Sequence, residues 1–162
     1  MSERGTISWT GSVVSIYTTP EASAPMQPHD SVRAVAGRGL EGDRYFNEVG
    51  FYSATTGPLR EISLIEEETL DALVRDHEMV VEPGETRRNI ITRGVPLNHL
   101  VGREFRVGTA LIRGVKLCEP CVHLVALTGK HGYLANLLHR GGLHAEVIAD
   151  GEITIGDGIE PV

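Results

Sequence analysis

Glycine sets the tightest limit on what this chain can become. Its 19 glycines divide the apolar residues into short runs. Glycine suits tight turns because it enters the left-handed backbone region at no steric cost. Aromatic residues are only 5% of the chain while apolar residues are 41%, so a core must rest on Val, Ile, Leu and Ala. Short β-branched runs between glycine turns read as strands.

Residues 6–19 are predicted as a strand or strand pair, with Ile7, Trp9, Val13, Val14, Ile16 and Tyr17 as strand formers and Gly11 at a bulge. Residues 20–28 hold three prolines and read as a surface loop. A short strand at 31–36 precedes a glycine-rich loop at 37–44, and 47–58 reads as irregular. Further strands are predicted at 61–65, 87–92, 104–107 and 109–117, with a turn or helical piece at 96–101. Leu70, Leu73 and Val74 fall at i, i+3, i+4, which predicts a helix over 66–77. Glu66, Glu67 and Glu68 suit its positive end and read as a solvated helix start, not a metal site. Short helices are predicted at 122–127 and 133–139. Asp150-Gly151 between the runs 143–149 and 152–155 predicts a type I′ hairpin. The pattern is a mixed α/β class: one β-barrel-like, strand-rich domain over residues 1–162, with short peripheral helices.

The net charge is −7, unevenly spread. Residues 87–140 hold nine Lys/Arg and two acids, whereas 61–85 hold nine acids and one Arg. That basic segment carries both cysteines, an arrangement that draws anionic ligands. An acidic chain without a long Lys/Arg run is a poor nucleic-acid binder. No apolar run reaches the ~20 residues of a membrane span. The N-terminal residues lack a basic-then-apolar signal pattern, and two cysteines form no disulfide scaffold, so a cytoplasmic, reducing setting is expected.

Both cysteines lie in Cys118-Glu119-Pro120-Cys121. A thiolate is a nucleophile and a soft-metal ligand. Cys118, Cys121 and His123 make half of a zinc site, and the chain has no second cysteine pair to complete it. A redox disulfide is a second option, although the βαβ setting of thioredoxin-type motifs is missing. Burial as small apolar residues is the third, and it suits Cys118, which directly follows a strand, better than Cys121. His123 is placed to lower the pKa of Cys121. Arg87 and Asn89, on one face of the predicted strand 87–92, offer a planar fork and an amide to a phosphate. Lys116 and Lys130 flank the cysteines and add positive charge.

Several segments, in order, resemble the MOSC domain, named for the C-terminal domain of molybdenum cofactor sulfurase. They are Gly39-Leu40-Glu41-Gly42-Asp43-Arg44, Arg87-Arg88-Asn89-Ile90, residues 97–102, Phe105-Arg106-Val107-Gly108, Glu119-Pro120-Cys121, Gly129-Lys130-His131-Gly132 and Gly156-Asp157. The resemblance covers residues 11–159. It implies a β-barrel-like domain and one functional cysteine, at the position of Cys121. In the family that cysteine is proposed to carry a persulfide or to ligate molybdenum. Amidoxime-reducing relatives hold the pterin and phosphate with an Arg-Pro-Asn segment. Arg87 and Asn89 match its ends, and Arg88 stands where those relatives have Pro and many single-domain members have Glu.

The resemblance therefore implies molybdenum cofactor (molybdopterin), with Cys121 as metal ligand and catalytic residue. Cofactor contacts would come from Arg87, Arg88, Asn89, Lys116, His123 and Lys130. A host making too little cofactor would leave a purified sample empty. The implied activity is reduction of small N-hydroxylated substrates. Two cysteines cannot hold a plant-type iron–sulfur cluster, so a separate electron-transfer protein is expected. The alternatives are a sulfur carrier, with a persulfide on Cys121 fed by a sulfur donor and resolved by Cys118, and a non-catalytic binding module. The roles of Asp43 and Arg44, ligand contact or loop fixing, stay open at this level.

Overall fold

The computed structural model describes residues 8–48, 61–119, 129 and 132–162. Among the described residues eleven strands run in order: β1 (Gly11–Thr18), β2 (Gln27–His29), β3 (Ser31–Val35), β4 (Gly39–Leu40), β5 (Ile62–Glu66), β6 (Ile90–Arg93), β7 (Glu104–Val107), β8 (Ala110–Leu117), β9 (Leu143–Ala149), β10 (Gly151–Thr154) and β11 (Gly158–Pro161). Helix α1 (Glu67–His77) links β5 to β6, and the single turn α2 (Tyr133–Asn136) precedes β9.

Seven strands close into a barrel, ordered β1-β6-β5-β9-β8-β7-β11 and back to β1. A closed ring with an odd number of strands cannot alternate direction at every pairing, so at least one pairing must be parallel. That pairing is β5–β6, with Leu64 beside Ile90 and Ile65 beside Ile91. A parallel neighbour needs a crossover, and α1 supplies it. β2 extends the sheet beyond β1, and β10-β3-β4 form a second, three-stranded sheet.

Alternation along β5 and β6 explains why both strands are apolar on two faces. Leu64 and Ile90 point into the main core with Ile16, Phe105, Ile112 and Leu143. Val32, Ala34, Leu40 and Ile153 of the second sheet join that core. Ile65 and Ile91 point outward, onto Leu70 and Leu73 of α1, with Val81 and Leu137. Val74, expected on the apolar face of α1, is 47% exposed. Glu66 ends β5, so the helix begins one residue later than predicted.

Three expectations are corrected. Asp150-Gly151 does not turn a hairpin: β9 pairs with β8 and β5, and β10 pairs with β3. The Asp150 carboxylate instead accepts the Ala36 N–H at 2.6 Å. Gly151 is needed for close approach, since a Cβ there would collide with the backbone of Ala110. Pro28, assigned to a loop, lies in β2, at the edge of the sheet where a missing N–H is tolerated. Residues 87–89 are not strand. A 3-10 turn, Pro83–Thr86, has a capping box between Glu82 and Glu85, and left-handed Arg87 (φ 59°) ends it before β6 begins at Ile90.

Candidate functional site

The basic triplet leads into β6, which lies between β5 and β1, and its three side chains diverge. Asn89 is 3% exposed. Its Oδ1 accepts from Ser63 N–H at 3.0 Å and Ser63 Oγ at 3.2 Å. Its Nδ2 donates to Tyr17 O at 3.1 Å. The amide thus ties β5 to β1 across β6. Arg88, 7% exposed, sends Nε to Gly141 O at 2.9 Å. The next residue, Gly142, accepts the Cys118 N–H at 2.8 Å. Arg88 and Cys118 therefore hold consecutive residues of one dipeptide, which brings the basic triplet and the cysteine stretch together. Gly142 has φ 109°, and a Cβ there would overlap the Leu64 carbonyl.

Arg87 is 8% exposed, and its Nη1 donates to Ala24 O at 2.6 Å. Its Nη2 is buried without a hydrogen-bond partner among the described residues. Ser15 Oγ and Glu68 Oε1 share that condition, but the Arg87 group is a cation in the wall of a cavity of about 380 Å³. That cavity is bounded by Ser23, Pro25 and Met26 on one side and Glu82, Gly84 and Glu85 on the other. Burial first, then the neighbouring Arg44 guanidinium, lowers the Arg87 pKa to about 10. It stays charged at neutral pH, so its unmatched N–H is costly: roughly 1–3 kcal/mol, and more for an ionised group.

Asp43 and Arg44 lie on the same side. Asp43 is fully buried and Arg44 is 6% exposed. Asp43 Oδ1 accepts from Arg44 Nη1 at 3.0 Å and from Thr19 N–H at 3.3 Å, and Oδ2 from Tyr45 N–H at 3.4 Å. Arg44 Nη2 reaches the Arg87 carbonyl at 3.5 Å. Arg44 thus bridges the buried Asp43 carboxylate and the Arg87 carbonyl. Of the two roles open to these residues, ligand contact or loop fixing, these bonds supply loop fixing. The signal was a charged pair beside three closely spaced glycines, but its partner lies 43 positions further along the chain.

Cys118 is buried, 2% exposed. Lys116 is exposed on β8, opposite His144. Cys121, His123 and Lys130, like the predicted helix 122–127 and most of the irregular stretch 47–58, lie outside the described residues. Among the described residues no group of three or more His, Cys, Asp or Glu is placed to hold a metal ion, and no helix is long and apolar enough to cross a membrane.

Residues 52–160 match the family model of the MOSC domain. Among solved structures, the YuaD protein from Bacillus subtilis superposes with a TM-score of 0.77, covering 94% of this chain and 97% of its own, at 18% identity. YiiM from Geobacillus stearothermophilus gives 0.71 over 94% of this chain and 75% of its own, at 16% identity. YiiM from Escherichia coli gives 0.68 over 96% and 70%, at 22% identity. At these identities the likeness is one of fold. No curated protein matches the sequence.

Proposed function

The chain belongs to the MOSC domain family, and from that premise we propose that it binds molybdenum cofactor through Cys121 and Arg87, as the molybdenum-carrying component of a reductase of N-hydroxylated compounds. One observation carries the reading. Arg87, whose Nη2 N–H is buried without a partner among the described residues, belongs to the wall of a cavity of about 380 Å³, and a second buried guanidinium, that of Arg44, reaches its carbonyl. A phosphate satisfies such a donor, because charge-assisted bonds from Arg are strong and directional. The Arg87 guanidinium suits the cofactor's anionic end, while the Glu82 and Glu85 carboxylates of the same wall oppose it.

Each residue has a part in that reading. Arg87 binds the phosphate. Arg88 fixes the Gly141–Gly142 dipeptide against which Cys118 is held, two residues before the segment bearing Cys121. Lys116, His123 and Lys130 add positive charge around it. Asn89 acts as the strut that keeps the lead-in to β6 in place. When bound, the cofactor supplies a metal centre that accepts an oxygen atom and cycles between two oxidation states. Electrons come from a separate protein. The burial of Cys118 weighs against the carrier alternative, which needs an exposed resolving thiol.

The test is molybdenum and pterin content of protein made in a cofactor-competent host, beside Cys121→Ser and Arg87→Met. The reading expects near-stoichiometric molybdenum, lost in Cys121→Ser, and pterin content lowered in Arg87→Met. Absence of molybdenum and pterin from the unaltered protein would overturn it, and persulfide labelling of Cys121 would then test the carrier.

A further inference from the structure

We infer that the buried Asp43–Arg44 pair is a positioning device that holds Arg87 in the conformation required for binding a phosphate-class anion. This rests on the anion-binding reading of Arg87 given above and assigns a role to two residues outside the set proposed to touch the cofactor.

Arg87 stands at φ 59°, a left-handed region that strains a non-glycine residue. Such a conformation persists only when the surroundings impose it. Two restraints act on Arg87 from outside its own turn. The Ala24 carbonyl takes Nη1 at 2.6 Å. Arg44 Nη2 grips the main-chain carbonyl at 3.5 Å. With Nη1 tethered and the backbone clamped, Nη2 is held buried and without a partner among the described residues, in a side chain that lines the cavity.

Arg44 is itself held on several sides. Nη1 pairs with Asp43 at 3.0 Å and lies 3.7 Å from Met26 Sδ, and the guanidinium stacks on Tyr45 at 4.6 Å from the ring centroid. Asp43 is fixed in turn by the Thr19 and Tyr45 N–H groups. Support thus runs from the ends of β1 and β4 through Asp43 and Arg44 to Arg87. A lysine at position 44 retains the charge but not the fork. One ammonium cannot span Asp43 and the Arg87 carbonyl as the planar guanidinium does.

The experiment titrates the full chain with inorganic phosphate, following the arginine Nε–Hε resonances by NMR and affinity by calorimetry. In the unaltered protein the Arg87 resonance should shift on phosphate addition while that of Arg44 stays in place. An equal shift at Arg44 would make it a ligand residue and overturn the positioning role. Among folded variants, Arg87→Met should lose phosphate binding, and Arg44→Lys should weaken it about tenfold or more, because lysine does not replace a forked arginine. If Arg44→Lys is less stable to urea yet binds phosphate normally, the pair is structural only and the inference fails. If Arg87→Met binds phosphate as well as the unaltered protein, the anion-site reading fails instead. The two failures are thereby distinguished.

Discussion

Replacing Asn89 by alanine should destabilise the barrel by about 3 kcal/mol, since it removes three hydrogen bonds worth roughly 1 kcal/mol each and strands buried backbone groups. The bonds are those of Oδ1 with Ser63 N–H and Oγ, and of Nδ2 with Tyr17 O. The Ser63 hydroxyl can turn to other partners. The Ser63 N–H and Tyr17 O cannot turn, and they dominate the loss. At roughly 2–4 °C per kcal/mol for a domain of this size, the melting temperature falls by about 6–12 °C. Urea denaturation is the assay, and the midpoint should drop with an unchanged slope, the mark of a stability change without altered compactness. Asn89→Asp is the informative companion. It keeps both acceptor contacts but sets a buried carboxylate oxygen against the Tyr17 carbonyl, so it should cost more at neutral pH than at acid pH, where the protonated acid can donate to Tyr17 O. A loss below about 1 kcal/mol for Asn89→Ala would refute the strut argument. Loss of phosphate affinity at unchanged stability would place Asn89 among the ligand-binding residues.

Three further outcomes are expected. Glu66 is half-buried, and burial, then Glu68, raises its pKa from 4.5 to about 7. The folded state therefore holds this proton more tightly than the unfolded state, so the contribution is full below pH 4.5 and is lost as pH rises to about 7. At ~1.4 kcal/mol per unit the shift corresponds to roughly 3 kcal/mol, which screening of a half-exposed group reduces to about 1. Glu66→Gln should remove that slope, read from urea curves at several pH values, and an unchanged slope would rule out Glu66 as its source. Gly142→Ala should cost about 2 kcal/mol or more through a left-handed φ and the overlap with Leu64, and an unfolding free energy within about 0.5 kcal/mol of the original in urea would contradict it. Cys118→Ser should leave phosphate affinity and molybdenum content unchanged. Loss of all activity in a folded, molybdenum-loaded Cys118→Ser protein would show that Cys121 does not act alone.

What the sequence revealed followed local rules. Leu70 and Leu73 marked α1 by spacing, and the apolar runs of β5, β8 and β9 marked strands. Errors arose where a local signal met a longer-range one. Asp150-Gly151 has hairpin chemistry, but pairing with β3 and the claim of Ala36 N–H on the Asp150 carboxylate decide its fate. Arg87 and Asn89 were placed on one strand face because alternation assumes extended backbone, and the turn capped by Glu82 and Glu85 removes that assumption. The Arg44–Arg87 contact joins segments 43 positions apart, which no local pattern encodes. The importance of Cys121 came from its motif, while the buried partners of Arg87 came from the fold.

The seam between β1 and β11 also bears on how the protein is made. Gly11 meets Ile159 there, and Ser12 meets Gly158. A ribosome delivers β1 early and β11 late, so the ring cannot shut until residues 156–159 have emerged. Until then β1 and β7 each carry an open edge able to pair with another nascent chain. Closure across so long a span is entropically slow. Variants that weaken residues 156–159 should therefore show aggregation during synthesis in addition to the stability the mature barrel loses with the buried Ile159 contacts.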